Sequence, residues 1–273
     1  MEFLTWTPET KRVFDVQYQP LVKTLSGYLV PMNILASSDI IRNSLLMSRI
    51  RFYSNGTIDP LSSLLANALR QHTNSVAERV QYDCEDLQGD IDTIAMFDNK
   101  LFVFECKNSL VPCNSYEIRT SYDSIVKGAE QLTKFQTGFN RINFKKHIEN
   151  KLGWCFDSTT ELITCVVVGN RMFTGYRIDG HAIRASYPLV HFIEEGTLVN
   201  QERETICFWA KDEFTGEDLR QYIVEDLIYK TMLDSMEPYI EQYSFGKYSI
   251  EFKTYCLNVL ALNKNLGFQS PKV

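Results

Sequence analysis

The stretch Gly89 to Asn108, GDIDTIAMFDNKLFVFECKN, sets acids and bases among apolar residues. Asp90, Asp92, Glu105 and Lys107 lie in two β-prone runs that flank Asp98-Asn99, a pair suited to a tight hairpin turn where positive φ is required. With those two residues as the loop, pairing runs from Phe97 with Lys100 back to Asp92 opposite Glu105 and Asp90 opposite Lys107. A four-residue loop keeps that register, whereas a three-residue loop shifts it by one and sends Glu105 to the other face. The period of two then gathers the four charged side chains on one face. Carboxylates directly opposite each other have Cβ atoms about 4.5–5.5 Å apart and repel, so this hairpin carries a charge conflict that something must offset. A divalent cation does so most simply. Mg²⁺ or Mn²⁺ takes carboxylate, carbonyl and water oxygens and often needs only one or two carboxylates beside a substrate phosphate. Lys107, on the same face, would help to neutralise the site and could orient or deprotonate an attacking water.

Several elements must position these residues. Asp59-Pro60 opens an apolar-periodic stretch, Leu61, Leu64, Leu65, Ala68 and Leu69, with helical spacing, an Asp N-cap and Pro at the first helical position. Three strand-like runs follow, Val76 to Tyr82, Asp90 to Phe97 and Lys100 to Lys107, and then a helix over Ser121 to Phe139. Glu161 to Gly169 is a β-branched run that suits a strand buried on both faces. Pro188 to Glu195 reads as a short helix, Gly216 to Met236 as a longer one, and Tyr248 to Leu262 as a segment ending in a strand. Near the N-terminus, Leu25 to Leu35 reads as extended structure interrupted by Pro31. Ser38 to Arg51 reads as a helix capped by Ser38 or Asp39, and Asn55-Gly56 as a turn. This order predicts an α/β sandwich with a mixed sheet.

Asp92, a hairpin and Glu105-Cys106-Lys107 together resemble the D…(D/E)-x-K signature of the PD-(D/E)xK phosphodiesterase superfamily, which has the restriction-endonuclease-like fold. The resemblance spans roughly residues 59–196 and includes the preceding helix, the GDID and VFECK strands and a following helix carrying KGAEQL. It implies a restriction-endonuclease-like core over residues 58–200, with a mixed central sheet flanked by helices. An N-terminal extension, 1–57, would pack on it, and an acidic helix-strand region, 201–273, would follow. By the same resemblance Asp92, Glu105 and the Cys106 backbone carbonyl would ligate Mg²⁺ or Mn²⁺. Lys107 would handle the water, and Gln131, with Lys127 one turn earlier, would be an accessory catalytic group. The implied activity is that of a Mg²⁺-dependent endonuclease. DNA is favoured over RNA, the chain would act as a homodimer or in a larger complex, and bacterial defence or restriction is the implied setting. One departure matters: many members carry a Glu on the first helix, and LSSLLANALRQ has no carboxylate, which leaves Asp90 or Glu78 for a second metal. The alternative is therefore an inactive relative that binds nucleic acid or serves assembly. A third reading is a regulatory partner protein contacting through its acidic C-terminal region.

Other residues have blander readings. Cys106 alternates to the face opposite Glu105 and is expected to pack in the core. His181 falls at a turn or strand end. Arg171 or Arg177, after the Glu161 to Gly169 strand, could bind phosphate, though a surface role is the simpler expectation. Lys145, Lys146 and His147, with Arg141 and Lys151, form a basic cluster that is usually a solvated face but could track a backbone. Seven cysteines without a C-x-x-C pair and four scattered histidines fit reduced thiols better than a disulfide frame or a zinc site. The N-terminus lacks a secretory pattern, and the longest apolar run, Ile163 to Val168, is too short to cross a bilayer. The expectation is a cytoplasmic protein without membrane partners.

The chain has 273 residues, 44% hydrophobic and 12% aromatic, which excludes a disordered polymer. Its net charge of -6 at first argues against a nucleic-acid partner. From Glu194 to Glu241, however, thirteen acids face four bases, a balance of -9; removing that segment from -6 leaves +3 for the remainder. The acidity belongs to one region.

Overall fold

The computed structural model describes residues 2–7, 15–48, 59–199, 203–211 and 213–267. The chain divides into two compact units, Met1–Thr57 and Ile58–Val273. In the first, β1 (Thr5–Trp6) runs parallel to β2 (Leu21–Thr24), which pairs antiparallel with β3 (Gly27–Leu29). Two helices follow, α1 (Met32–Ser37) and α2 (Ile40–Ser48). The stretch expected to be extended through Leu35 instead turns at Leu25-Ser26 and becomes helical after Pro31, a residue that suits a helix start. Asp39 caps α2, accepting from the Arg42 N–H at 2.9 Å. The Asn55-Gly56 turn and the end of the helix expected to reach Arg51 lie outside the described residues.

The second unit is a mixed α/β structure. It opens with α3 (Pro60–Arg70), β4 (Val76–Cys84), β5 (Leu87–Phe97) and β6 (Lys100–Lys107). Two helices, α4 (Ser115–Phe139) and α5 (Ile142–Leu152), then lead to β7 (Glu161–Val168), β8 (Arg177–Ile178) and β9 (His181–Ala185). The remainder is α6 (Ser186–Glu194), β10 (Thr197–Val199), β11 (Thr205–Cys207), α7 (Gly216–Val224), α8 (Leu227–Asp234), β12 (Met236–Phe245), β13 (Tyr248–Leu257) and α9 (Val259–Leu266). Six strands form one sheet in the order β4-β5-β6-β7-β9-β8. The β4-β5 and β5-β6 pairs are antiparallel, while β6-β7 and β7-β9 are parallel, as a helical crossover between β6 and β7 requires.

Period-two alternation on the central strands builds two apolar layers. Phe102, Phe104 and Cys106 of β6 meet Leu65 and Leu69 of α3, with α6 and α7, on one face. Leu101 and Val103 meet Ile125, Leu132 and Phe135 of α4, with α5, on the other. Both faces of β6 and β7 are covered, which accounts for their continuous apolar sequence.

Three sequence expectations need correction. The helix expected over Gly216 to Met236 is broken, because Asp226 takes φ 55 and separates α7 from α8. Tyr248 to Leu262 does not end in a strand: β13 stops at Leu257, Asn258 caps the next turn, and α9 follows. The helix expected from Ser121 begins at Ser115. Asn114 accepts there from the Glu117 N–H at 2.9 Å, and the Glu117 carboxylate accepts from the Cys113 N–H at 2.8 Å.

Candidate active site

The hairpin turn forms at Asp98-Asn99, both with positive φ (51 and 55), and fixes the even register from Phe97↔Lys100 to Thr93↔Phe104. There the pairing stops. Beyond Thr93, β5 stays with β4, with Asp90 across from Gln81, whereas β6 stays with β7, with Glu105 across from Val166 and Lys107 across from Val168. The expected pair of Asp90 with Lys107 is therefore not made.

The physical cause is the Asp92 side chain, whose Oδ2 accepts the Cys106 N–H at 2.7 Å and so takes the place of a strand carbonyl in the ladder. A strand residue's N–H and C=O point to the same edge, which turns the Cys106 carbonyl toward this opening as well. The kink extends into β4, where Arg79, between the pairs Glu78↔Thr93 and Val80↔Ile91, has φ 49. Ile91 and Ile94 both face the α4 layer although they are three residues apart, so the alternation slips by one around Asp92. Helix α3 holds the kink: buried Ser62 donates to the Asp92 carbonyl at 2.9 Å and lies 2.7 Å from Thr93 Oγ1.

Glu105 projects from β6 toward α4 and is 3% exposed. Its Oε1 accepts from Lys107 Nζ at 2.7 Å, and Nζ also donates to Gln131 Oε1 on α4 at 3.0 Å. Glu105 Oε2 is buried and has no hydrogen-bond partner among the described residues. Burial first, and the Asp92 charge second, push its carboxyl up to about 8 from an ordinary 4.5. Burial likewise raises Asp92, against the lowering effect of the Cys106 N–H and Lys107. Gly128 lets α4 approach: a Cβ there would lie 2.9 Å from Lys107 Cε and 3.2 Å from Glu105 Cγ.

No known protein family and no curated protein matches this sequence. One solved structure, that of protein VC1899 from Vibrio cholerae, is similar at 14% identity and a TM-score of 0.25, over 60% of this chain. The match covers 40% of that protein's chain. Likeness at this level carries no argument about fold or activity.

Asp92, Glu105, Lys107, Gln131 and the Cys106 backbone thus converge, whereas Lys127 is exposed on α4 and Asp90 is exposed on β5, acting on Asp92 only through its charge. Glu78 is engaged elsewhere, accepting from Ser63 at 3.0 Å and Arg70 at 2.7 Å. Asp59, read from sequence only as a cap, does cap α3 through the Leu61 N–H at 2.8 Å. It also accepts from Asn108 at 3.1 Å, which ties the cap to the end of β6, and its charge acts on Cys106. Among the described residues no three His, Cys, Asp or Glu side chains are grouped to hold a metal.

Cys106 packs against the α3 layer, and burial raises its thiol well above the ordinary value. His181 opens β9, at a strand end as expected, and is 2% exposed between Thr133 and Thr164, at 2.8 and 2.7 Å, where burial lowers its pKa. Arg177 caps the end of α7 through the carbonyls of Ile223 and Val224; Arg171 is exposed. In the basic cluster Arg141 pairs with Asp86, and Lys145 donates to the Asp157 carbonyl at 2.6 Å. His147 and Lys151 line a cavity of about 590 Å³ with Tyr82, Asp83 and Asp90. Among the described residues no helix is long and apolar enough to cross a membrane.

Proposed function

We propose that this chain is a metal-dependent nuclease of the PD-(D/E)xK kind, acting on DNA in preference to RNA from a restriction-endonuclease-like core. One observation carries the reading: the strand ladder opens at Asp92 and Glu105, leaving a buried, unpartnered carboxylate oxygen beside a second carboxyl and a lysine. Burial raises both carboxyls, and the Asp92 charge raises Glu105 further, a situation a cation relieves, so the residues present fit Mg²⁺ or Mn²⁺. Asp92, Glu105 and the Cys106 carbonyl would hold the ion. Two carboxylates are enough where substrate phosphate and water complete the shell. A bound Mg²⁺ supplies Lewis acidity to a phosphoryl oxygen and lowers the pKa of its water.

The protein's own groups have separable tasks. The Cys106 N–H fixes Asp92 through Oδ2. Gln131 holds Lys107 Nζ on the side of Glu105, where the ammonium can meet charge that develops on a phosphate and position an attacking water. Gly128 and the α4 layer exclude bulk solvent from behind the pair, which strengthens these interactions.

The test is cleavage of plasmid, linear duplex and single-stranded DNA, and of RNA, across a Mg²⁺ and Mn²⁺ titration, with Asp92→Ala and Lys107→Ala as controls. Metal-dependent cleavage by wild type alone is expected. Equal cleavage by all three proteins, or none with any substrate, sinks the reading at this site.

A further inference from the structure

β12 and β13 pair over ten residue pairs, from Met236↔Leu257 to Phe245↔Tyr248, and form a two-stranded sheet of their own. Eighteen of their twenty residues are exposed. A lone two-stranded hairpin is marginally stable in water, and both of its edges present unpaired backbone groups. At the base, Asn258 N–H donates to the Ser235 carbonyl at 2.9 Å and Asn265 donates to Ser235 Oγ at 3.0 Å.

The two faces differ. The register puts Tyr239, Tyr243, Phe245, Tyr248, Ile250 and Phe252 on one side, each between 44% and 67% exposed. The opposite side carries exposed Met236, Ile240, Tyr255 and Leu257 with Pro238 toward its base and turns polar toward the tip, with Gln242, Ser244, Ser249, Glu251 and Lys253, so the aromatic side alone is apolar up to the tip.

We propose that the aromatic face of this ribbon is where two copies of the chain associate. Six side chains of about 200 Å² each, half exposed, offer roughly 600 Å² per copy. Two such faces together bury roughly 1,200 Å², the lower bound of a specific interface. A solitary patch of that size is at the upper end for a monomer surface. An isologous pairing across a two-fold axis uses one apolar face twice and needs no second complementary surface. Charge disfavours a nucleic-acid occupant, because the strands contribute Glu237 and Glu241 to this face, against one cation at the tip, Lys247, whose ammonium lies 5.3 Å over the Tyr248 ring.

The experiment is sedimentation velocity of the full chain from about 1 to about 100 µM, with wild type, Phe252→Glu on the aromatic face and Gln242→Lys on the opposite face. A concentration-dependent dimer is expected for wild type and Gln242→Lys, weakened about 30-fold or more in Phe252→Glu, the scale of losing a central aromatic anchor. Amide exchange of wild type over the same range reads the ribbon without a substitution, and slower exchange in β12 and β13 as concentration rises is expected. A wild-type monomer throughout, equal dimerisation of Phe252→Glu, or ribbon exchange that does not change with concentration overturns the proposal. So does ribbon protection that comes only on adding an oligonucleotide, which assigns the face to nucleic acid instead.

Discussion

Replacing Glu105 with Gln should remove a loss of stability that cation-free wild type suffers as pH rises. Glu105 is 3% exposed and its carboxyl is raised from 4.5 to about 8, so the folded chain holds this proton more tightly than the unfolded one. The resulting stabilisation is complete below about pH 4.5 and is lost as pH rises through about 8. Within that window unfolding free energy falls by about 1.4 kcal/mol per pH unit, which reaches about 3 kcal/mol by pH 7. Glu105→Gln keeps the shape and an acceptor for Lys107 but has nothing to titrate. Urea unfolding in EDTA from about pH 5.5 to about pH 7.5 should therefore show wild type losing stability relative to the variant at close to that slope. Adding Mg²⁺ should stabilise wild type at the upper end and leave the variant unchanged. Parallel profiles for the two proteins in EDTA would refute the buried, charge-opposed carboxyl.

Gly128→Ala should gain up to about 1 kcal/mol of helix propensity while pushing Lys107 off its position, so thermal melting changes little and cleavage falls at least tenfold. Ser62→Ala removes the hydroxyl that holds the Asp92 carbonyl and should cost about 1 kcal/mol in urea unfolding, with cleavage reduced. Arg184→Ala removes a fully buried guanidinium that pairs with Asp226 and holds the Tyr222 and Ile223 carbonyls. It should cost about 3 kcal/mol or more by the same assay while leaving cation affinity intact in protein that remains folded.

Much of the α/β order is visible in the chain because its strongest elements carry strong local signals. Asp98-Asn99 between alternating apolar residues specifies the tight turn and its even register, and Asp59-Pro60 marks the start of α3. Weaker elements escape. α5 buries only Phe144 and Ile148 among charges, so its sequence reads as a basic cluster rather than a helix. β12 contains Pro238 and sits in a helix-like acidic stretch, and its pairing with β13 is long-range information. The site was legible as residue types and faces. Its geometry was not, because a period of two cannot report that Asp92 enters the ladder and parts the strands it was expected to join. Gly128 was equally silent, since a glycine inside a helix carries no sign of what it packs against.

Asp92 and Glu105 together are expected to hold a divalent cation, and calorimetric titration of Mn²⁺ into the cation-free full chain measures that directly. One ion should bind wild type, and affinity should fall by about 100-fold or more in both Asp92→Asn and Glu105→Gln, each still folded by circular dichroism. Equal affinity in the three proteins, or no binding to wild type, would contradict it.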